Sequence, residues 1–140
     1  MCKAFGYEPK EIHVYLKPQF LDLMENGEII ATYRIISGYD GPATSQDGSR
    51  TYYKPTPKET RRIISKTING YSRKYDAEMP YAMQFKRGYY IHAWSWSEPL
   101  PAPGHGYATH GCISLDLPDA KFLFDWAPVG TIIYFWEERN

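Results

Sequence analysis

An Asn-Gly pair between two apolar segments is the feature that most constrains the fold of this chain. Asn26 and Gly27 separate residues 20–24 from residues 29–36. Both residue types accept positive φ, so the pair is a strong signal for a two-residue hairpin turn. Residues 11–17 alternate apolar and polar side chains, which is typical of a strand with two different faces. The opening third is therefore predicted to be a β-meander.

The rest of the chain is predicted to be mainly β as well, with one main helix. Residues 39–58 and 69–80 are rich in polar and turn-forming residues and are interpreted as loops. The helix is predicted to begin near Pro118, to present an apolar face and to end before Pro128. Further strands are predicted at residues 61–68, 82–85, 89–93, 112–115 and 131–136, the last of them central in a sheet. These elements indicate a single domain over residues 1–140, with its core at about 11–136.

Composition argues against several classes of function. The 16 basic and 16 acidic residues cancel, so the chain has no electrostatic reason to bind nucleic acid or an anionic membrane. No apolar window of the roughly 18 residues that a membrane span needs is present, and residues 1–16 lack the apolar core of a signal peptide. Of the two cysteines, Cys2 lies at the terminus, so Cys112 is interpreted as a free thiol and no disulfide framework is expected.

The strongest chemical signal is the segment Thr109-His110-Gly111-Cys112, preceded at twenty positions before the cysteine by His92. A thiol is nucleophilic as thiolate, and a nearby imidazole is the usual base that generates one. Glycine directly before the cysteine lets the backbone approach a substrate closely. The segment therefore offers a nucleophile, backbone N–H donors and two candidate bases.

This arrangement resembles the L,D-transpeptidase (YkuD-type) catalytic domain family, in which a histidine precedes a Ser/Thr-His-Gly-Cys motif by about this gap. Further similar segments lie at residues 79–83, 88–92, 117–120 and 129–133, so the resemblance covers roughly residues 11–135. It implies a YkuD-like β-sandwich or barrel-like core, with one main helix after the strand that carries the cysteine.

The resemblance also implies a reaction, namely acyl transfer on the stem tetrapeptide of peptidoglycan. His92 would take the proton of Cys112, whose sulfur would displace the terminal D-alanine and form a thioester. An amine would then give a 3-3 cross-link or a D-amino-acid exchange, whereas water would give an L,D-carboxypeptidase. The carbonyl of Ala93 would orient the base, and the N–H groups of Gly111 and Cys112 would bind the oxyanion. His110 would shape the cysteine loop, or would itself be the base; neither a metal nor a cofactor is expected.

Five side chains are candidates for substrate binding. Tyr81, Tyr90, Thr109 and Trp94 are expected to line the cleft, although the alternation of faces along a strand leaves the side of Tyr90 open. Ser114 stands where the family commonly carries Arg or Asn, two residues after the cysteine, so a long cationic anchor for a substrate carboxylate is missing there.

Two other departures from the family pattern affect the surroundings of the site. Thr56-Pro57-Lys58-Glu59 stands where the family often has Thr-Pro-Thr-Gly, so this loop is expected to be built differently. Trp94 and Trp96 follow the first histidine where a small segment is usual, and two indoles there would narrow the cleft.

Two alternatives from other classes remain open on the sequence alone. His92, His105, His110 and Cys112 could bind zinc, although the chain has no His-Glu-x-x-His helix and no Cys-x-x-Cys pair. The second alternative is a non-catalytic module that binds the cell wall. The expected partner is a peptidoglycan stem peptide, with any immunity or delivery partner unknown. The resemblance implies the bacterial cell envelope (periplasm), and delivery as an effector or a cytoplasmic recycling role stays open.

Overall fold

The computed structural model describes residues 8–38, 56–102, 109 and 111–138, together with the backbone of 43–44 and 51–52. These residues form eleven strands and one helix. The elements in chain order are β1 (Lys10–Tyr15), β2 (Phe20–Glu25), β3 (Glu28–Arg34), β4 (Ala43–Thr44), β5 (Thr51–Tyr52), β6 (Arg61–Arg62), β7 (Ser65–Ser72), β8 (Ala77–Lys86), β9 (Tyr89–Ala93), β10 (Ile113–Leu115), α1 (Leu117–Trp126) and β11 (Ile132–Trp136).

The first sheet has the strand order β3-β2-β1-β11-β6 and contains the predicted meander. Asn26 and Gly27 have φ of 53° and 85°, as the hairpin signal requires, so that prediction is confirmed. The last strand pairs in parallel with β1, with Ile12 opposite Ile133, and antiparallel with β6 on its other side. The final strand therefore lies inside the sheet, as predicted.

The second sheet has the order β10-β9-β8-β7 and carries the cysteine strand at one edge. The prediction of a loop over residues 69–80 is wrong, because β7 and β8 run through that segment and only residues 73–76 form a turn. The strand β7 lies at the other edge and exposes most of its side chains, so a polar sequence is compatible with it. Gly70 is required there, since a Cβ atom would come within 2.8 Å of the Met79 carbonyl oxygen.

The core lies between the two sheets and α1. Strands β1, β2, β9 and β10 each contribute two buried apolar residues to it, and α1 contributes Ala120 and Leu123. The helix packs on β8, β9 and β10, so it covers the core face of the cysteine sheet. The expected class, a mainly β domain with one main helix after the cysteine strand, is confirmed.

Lysines from both sheets hold the C-terminal end of α1. Lys66 on β7 donates to the carbonyl oxygens of Phe124 (2.5 Å) and Ala127 (2.9 Å). Lys10 on β1 donates to the carbonyl oxygen of Trp126 (2.8 Å). Because the last turn of the helix has no basic residue of its own, these lysines supply the positive charge that a helix C-terminus favours.

No helix in the part of the chain described above has the length and apolarity needed to cross a bilayer.

Candidate active site

Neighbouring parallel strands bring the candidate nucleophile and base together. The register of β9 and β10 sets His92 opposite Ser114, and Cys112 lies two residues before Ser114. The backbone N–H of Tyr90, two residues before His92, lies close enough to the sulfur of Cys112 to lower the pKa of the thiol. The thiol therefore lies against β9, within two residues of the imidazole.

The two faces of β9 have different roles. Ile91 and Ala93 are fully buried in the core, whereas Tyr90 and His92 are half-buried. Because side chains alternate along a strand, Tyr90 and His92 share the face turned away from the core. The sequence left open which face of the strand carries Tyr90; in the structure its side chain lies on the same face of β9 as the side chain of His92.

A backbone hydrogen bond determines the tautomer of His92. Its Nδ1 lies 2.6 Å from the carbonyl oxygen of Ala93. A carbonyl only accepts hydrogen bonds, so Nδ1 carries the proton and Nε2 has a free lone pair in the neutral ring. The arrangement gives Ala93 the orienting contact expected of it and leaves Nε2 able to accept a proton.

Burial keeps both groups uncharged over a wide pH range. Desolvation lowers the pKa of His92 to about 4, and the hydrogen bond to Ala93 opposes this shift. Desolvation also raises the pKa of the Cys112 thiol to about 11, against the effect of the Tyr90 N–H. Near neutral pH the thiol of Cys112 and the imidazole of His92 are therefore both neutral at rest.

The loop that carries the thiol is held by its own polar groups. Gly111 has φ of 109°, a conformation that favours glycine. The hydroxyl of Thr109 accepts the N–H of Gly111 (3.2 Å) and donates to the carbonyl of Cys112 (2.5 Å). Both the hydroxyl of Thr109 and the N–H of Gly111 are thus engaged within the loop, and their expected roles in binding substrate and oxyanion stay predictions.

Two polar side chains that sequence reasoning did not single out for the site support this loop from outside. The buried hydroxyl of Thr56 donates to the Gly111 carbonyl (3.0 Å) and accepts the Gly38 N–H (2.8 Å). Gln19 acts through Ser37, whose carbonyl accepts the Thr109 N–H (3.1 Å): it accepts the Ser37 N–H (3.0 Å) through Oε1 and donates to the Ser37 hydroxyl (2.6 Å) through Nε2. Thr56 belongs to the segment compared above with the family's Thr-Pro-Thr-Gly, but nothing local indicates that either side chain contacts the cysteine loop, because their partners are distant along the chain.

The remaining candidates for substrate contact differ in position. Ser114 is buried beside His92, and its backbone exchanges two hydrogen bonds with Ile36. Trp94 follows Ala93 directly, is half-buried and donates its backbone N–H to Leu115 (2.8 Å).

Tyr81 has contacts of a different kind. Its ring packs on Phe124 of the helix and on Trp96, with centroid separations of 5.4 and 5.5 Å, and against the core. These contacts place Tyr81 on the helix side of the sheet, and its part in substrate binding stays a prediction.

Two histidines of the sequence analysis, His105 and His110, lie outside the described residues. The choice of His110 as loop-shaping residue or alternative base therefore stays a prediction. Among the side chains that the structure does describe, no group of three His, Cys, Asp or Glu residues is arranged to hold a metal ion.

Comparison with known proteins gives consistent matches. The family model of the L,D-transpeptidase catalytic domain matches residues 9–135. A curated relative, the probable L,D-transpeptidase 3 of Mycobacterium tuberculosis, is 29% identical over 111 residues, which is 70% of this chain and 40% of that protein. The chain thus spans less than half the length of this relative.

Solved structures agree in fold. The L,D-transpeptidase of Stackebrandtia nassauensis superposes with a TM-score of 0.74 at 24% identity, over 94% of this chain and 57% of that one. The L,D-transpeptidase of Xylanimonas cellulosilytica gives a TM-score of 0.70 at 24% identity, over 94% and 66%. Since the family model covers nearly the whole sequence, the chain belongs to the L,D-transpeptidase catalytic domain family.

Proposed function

We propose that this chain is a cysteine acyltransferase that acts on peptidoglycan stem tetrapeptides and passes the acyl group to an amine. One observation carries the proposal. The bond from His92 Nδ1 to the Ala93 carbonyl leaves Nε2 as a proton acceptor on the strand beside Cys112. Membership of the family supports the substrate class, and the geometry of the pair supports the division of roles.

The reaction divides into two acyl transfers. As the sulfur of Cys112 attacks the carbonyl carbon before the terminal D-alanine, its proton moves to His92 Nε2. The tetrahedral intermediate collapses, the C–N bond breaks, and the leaving amine takes the proton from His92. An acceptor amine then attacks the thioester, gives its proton to His92 and releases the sulfur, which regains that proton.

Charge separation is expected only during attack. Because the resting thiol and imidazole are both neutral, an imidazolium forms beside the intermediate, where its charge offsets that of the oxyanion. The N–H of Cys112 is the proposed principal oxyanion donor, since the N–H of Gly111 is engaged by Thr109. A bound peptide that excludes water would strengthen both interactions.

The test is incubation with a disaccharide tetrapeptide, followed by mass spectrometry of the products. A joined dimer that has lost one D-alanine is the result expected of a transpeptidase. Exchange of added D-amino acid into the tetrapeptide would support the same acyl transfer to an amine. Absence of any change in the tetrapeptide would reject the proposed reaction.

Variants of the nucleophile separate catalysis from binding. Cys112→Ala is expected to abolish the product, and Cys112→Ser to lower turnover by roughly 10³-fold or more, because an alcohol is far harder to deprotonate than a thiol. Peptide binding, measured by calorimetry, is expected to persist in Cys112→Ala. Near-normal turnover in Cys112→Ser would reject the nucleophile assignment. Full biological effect in Cys112→Ala would favour a non-catalytic module that binds the wall.

Hydrolysis is the second candidate, and Ser114 favours it. This small, buried residue stands beside His92 at the position where the family commonly has Arg or Asn. Without a long cationic side chain there, the donor peptide and the acceptor would be held less firmly, and water would compete for the thioester. Loss of D-alanine with no joined or exchanged product would identify an L,D-carboxypeptidase. The cell envelope is the proposed place of action in either case.

A further inference from the structure

We infer that Thr56 is a positioning residue for the oxyanion site: its hydroxyl orients the peptide bond whose N–H belongs to Cys112. The inference rests on the proposed acyl transfer. It assigns a task to a residue 56 positions before the nucleophile along the chain, in the loop where the sequence departs from the family pattern.

The hydroxyl of Thr56 has a complete and directional set of partners. It accepts the N–H of Gly38 at 2.8 Å and donates to the carbonyl of Gly111 at 3.0 Å. A hydroxyl has one donor proton, so accepting from Gly38 leaves that proton for Gly111 alone. Thr56 is only 2% exposed, so the two bonds are shielded from competing water.

Planarity of the peptide bond transmits this contact to the nucleophile. The carbonyl of Gly111 and the N–H of Cys112 belong to one peptide unit, and this unit is trans. Its C=O and N–H vectors are therefore antiparallel. When Thr56 holds the carbonyl on one side, the N–H of Cys112 is directed to the other side.

The same peptide unit would otherwise have freedom to rotate. Gly111 has φ of 109°, and a glycine at this position has several accessible conformations. Thr109 restrains the units on either side through the Gly111 N–H and the Cys112 carbonyl. Thr56 is the described residue that holds the carbonyl between them, so its loss would release the donor most directly involved in stabilising the intermediate.

Comparison of two reactions of the thiol tests this role. Acylation by 4-nitrophenyl acetate passes through a tetrahedral oxyanion and releases 4-nitrophenolate. Alkylation by iodoacetamide forms a carbon–sulfur bond, expels iodide and has no oxyanion. Both rates would be measured in a Cys2→Ser background, in which Cys112 is the remaining thiol. Thr56→Val keeps the shape of the side chain but removes both hydrogen bonds.

We expect Thr56→Val to lower acylation by about 10- to 100-fold, because losing an oxyanion donor outright lowers rates by about 10²–10³-fold. Alkylation is expected to stay within about twofold, and Thr56→Ser, which keeps the hydroxyl, to restore acylation. The matched control is Thr131→Val. Thr131 is also buried and donates to the Pro128 carbonyl (2.7 Å), away from the thiol, so this variant is expected to leave the ratio of the two rates unchanged.

Several outcomes would overturn the inference. If Thr56→Val lowers acylation and alkylation by the same factor, Thr56 has a merely structural role. If it changes neither rate, Thr56 has no role in positioning the donor. If Thr56→Val fails to fold, Thr56→Ser tests the inference by itself. Because serine keeps the hydroxyl, a large fall in its ratio of acylation to alkylation would reject the inference. If the wild-type thiol is acylated but leaves the tetrapeptide intact, only the proposed function falls. If the wild-type thiol is not acylated at all, both fall.

Discussion

The ionisation of His92 and Cys112 gives two reactions of the same thiol different pH profiles. Burial lowers the pKa of His92 to about 4 and raises that of Cys112 to about 11. Acylation assisted by His92 requires the neutral ring, so its rate is expected to be level from about pH 5 to 9 and to fall as the ring gains a proton near pH 4. Alkylation requires thiolate and is expected to rise about tenfold per pH unit up to about pH 11. Stopped-flow acylation and iodoacetamide kinetics would measure these profiles.

A variant of the base gives the control for these profiles. His92→Gln removes the proton acceptor and is expected to abolish the level acylation profile while alkylation still rises with pH. A wild-type alkylation rate that reaches its plateau near pH 7 would contradict the expectation, because it would indicate a thiolate–imidazolium pair already formed at rest.

At the scale of single residues, the sequence identifies the candidate catalytic residues better than the residues that hold them in place. Cys112 and His92 stand out because their types and spacing match one chemistry. The supporting roles of Thr56 and Gln19 do not, because their hydrogen bonds join segments that only the fold brings together. The carbonyl of Ala93 carries no sequence signal of its own, since any residue has one, and it could be named only through the resemblance.

At the scale of elements, α1 depends on Lys66 for the end of its hydrogen-bond ladder. Lys66→Met keeps the aliphatic stem but removes two hydrogen bonds to the last carbonyls and a charge over the Phe124 ring, 4.4 Å from the centroid. We expect a loss of about 1–2 kcal/mol in unfolding free energy, from the combined hydrogen-bond and dipole effects. Urea denaturation followed by fluorescence would measure it.

The matched control lies on the helix itself. Lys121 is exposed and forms an ion pair with Asp125 one turn away, so Lys121→Met removes the same charge with little expected change in stability. Equal effects of the two substitutions would mean that the contacts of Lys66 with the helix end contribute nothing beyond its charge.

The elements differ in how well their sequences predict them. The hairpin at Asn26 was predictable because positive φ is a local requirement. The strands through residues 69–80 were not, because an edge strand can be polar and the need for Gly70 arises from its close approach to β8. The helix was predicted in place, but Phe122 is 48% exposed: successive helical residues point in different directions, so not all of its aromatic residues reach the core.

At the scale of the whole molecule, the desolvated imidazole of His92 opposes folding in acid. The pKa of His92 is about 4 in the folded chain, whereas an ordinary histidine, as in the unfolded chain, has a pKa of 6.5. Below pH 6.5 the unfolded chain therefore binds the proton more readily than the folded chain. Stability is therefore expected to fall between pH 6.5 and 4, by on the order of 3 kcal/mol at most from this group. The raised pKa of Cys112, from 9.0 to about 11, lowers stability in the same way as the pH rises from 9 to 11.

Urea denaturation at pH 7 and pH 4 would measure the acid effect, with His92→Gln as the variant that lacks the titrating group. The difference between the two pH values is expected to be smaller in the variant than in the wild type. An identical difference in both would show that the imidazole of His92 does not change its protonation on unfolding, and that other titrating groups cause the loss of stability in acid.

The parallel pairing of β1 with β11 has a consequence for how the protein is made. The thiol, the imidazole and α1, which covers the opposite face of their sheet, come from one continuous part of the chain, which leaves the ribosome before β11 does. Strand β1 therefore lacks its parallel partner until β11, far along the chain, has been synthesised. The strands and the helix around the thiol thus emerge before β11, and the core of the first sheet is shielded from water only when β11 has paired with β1.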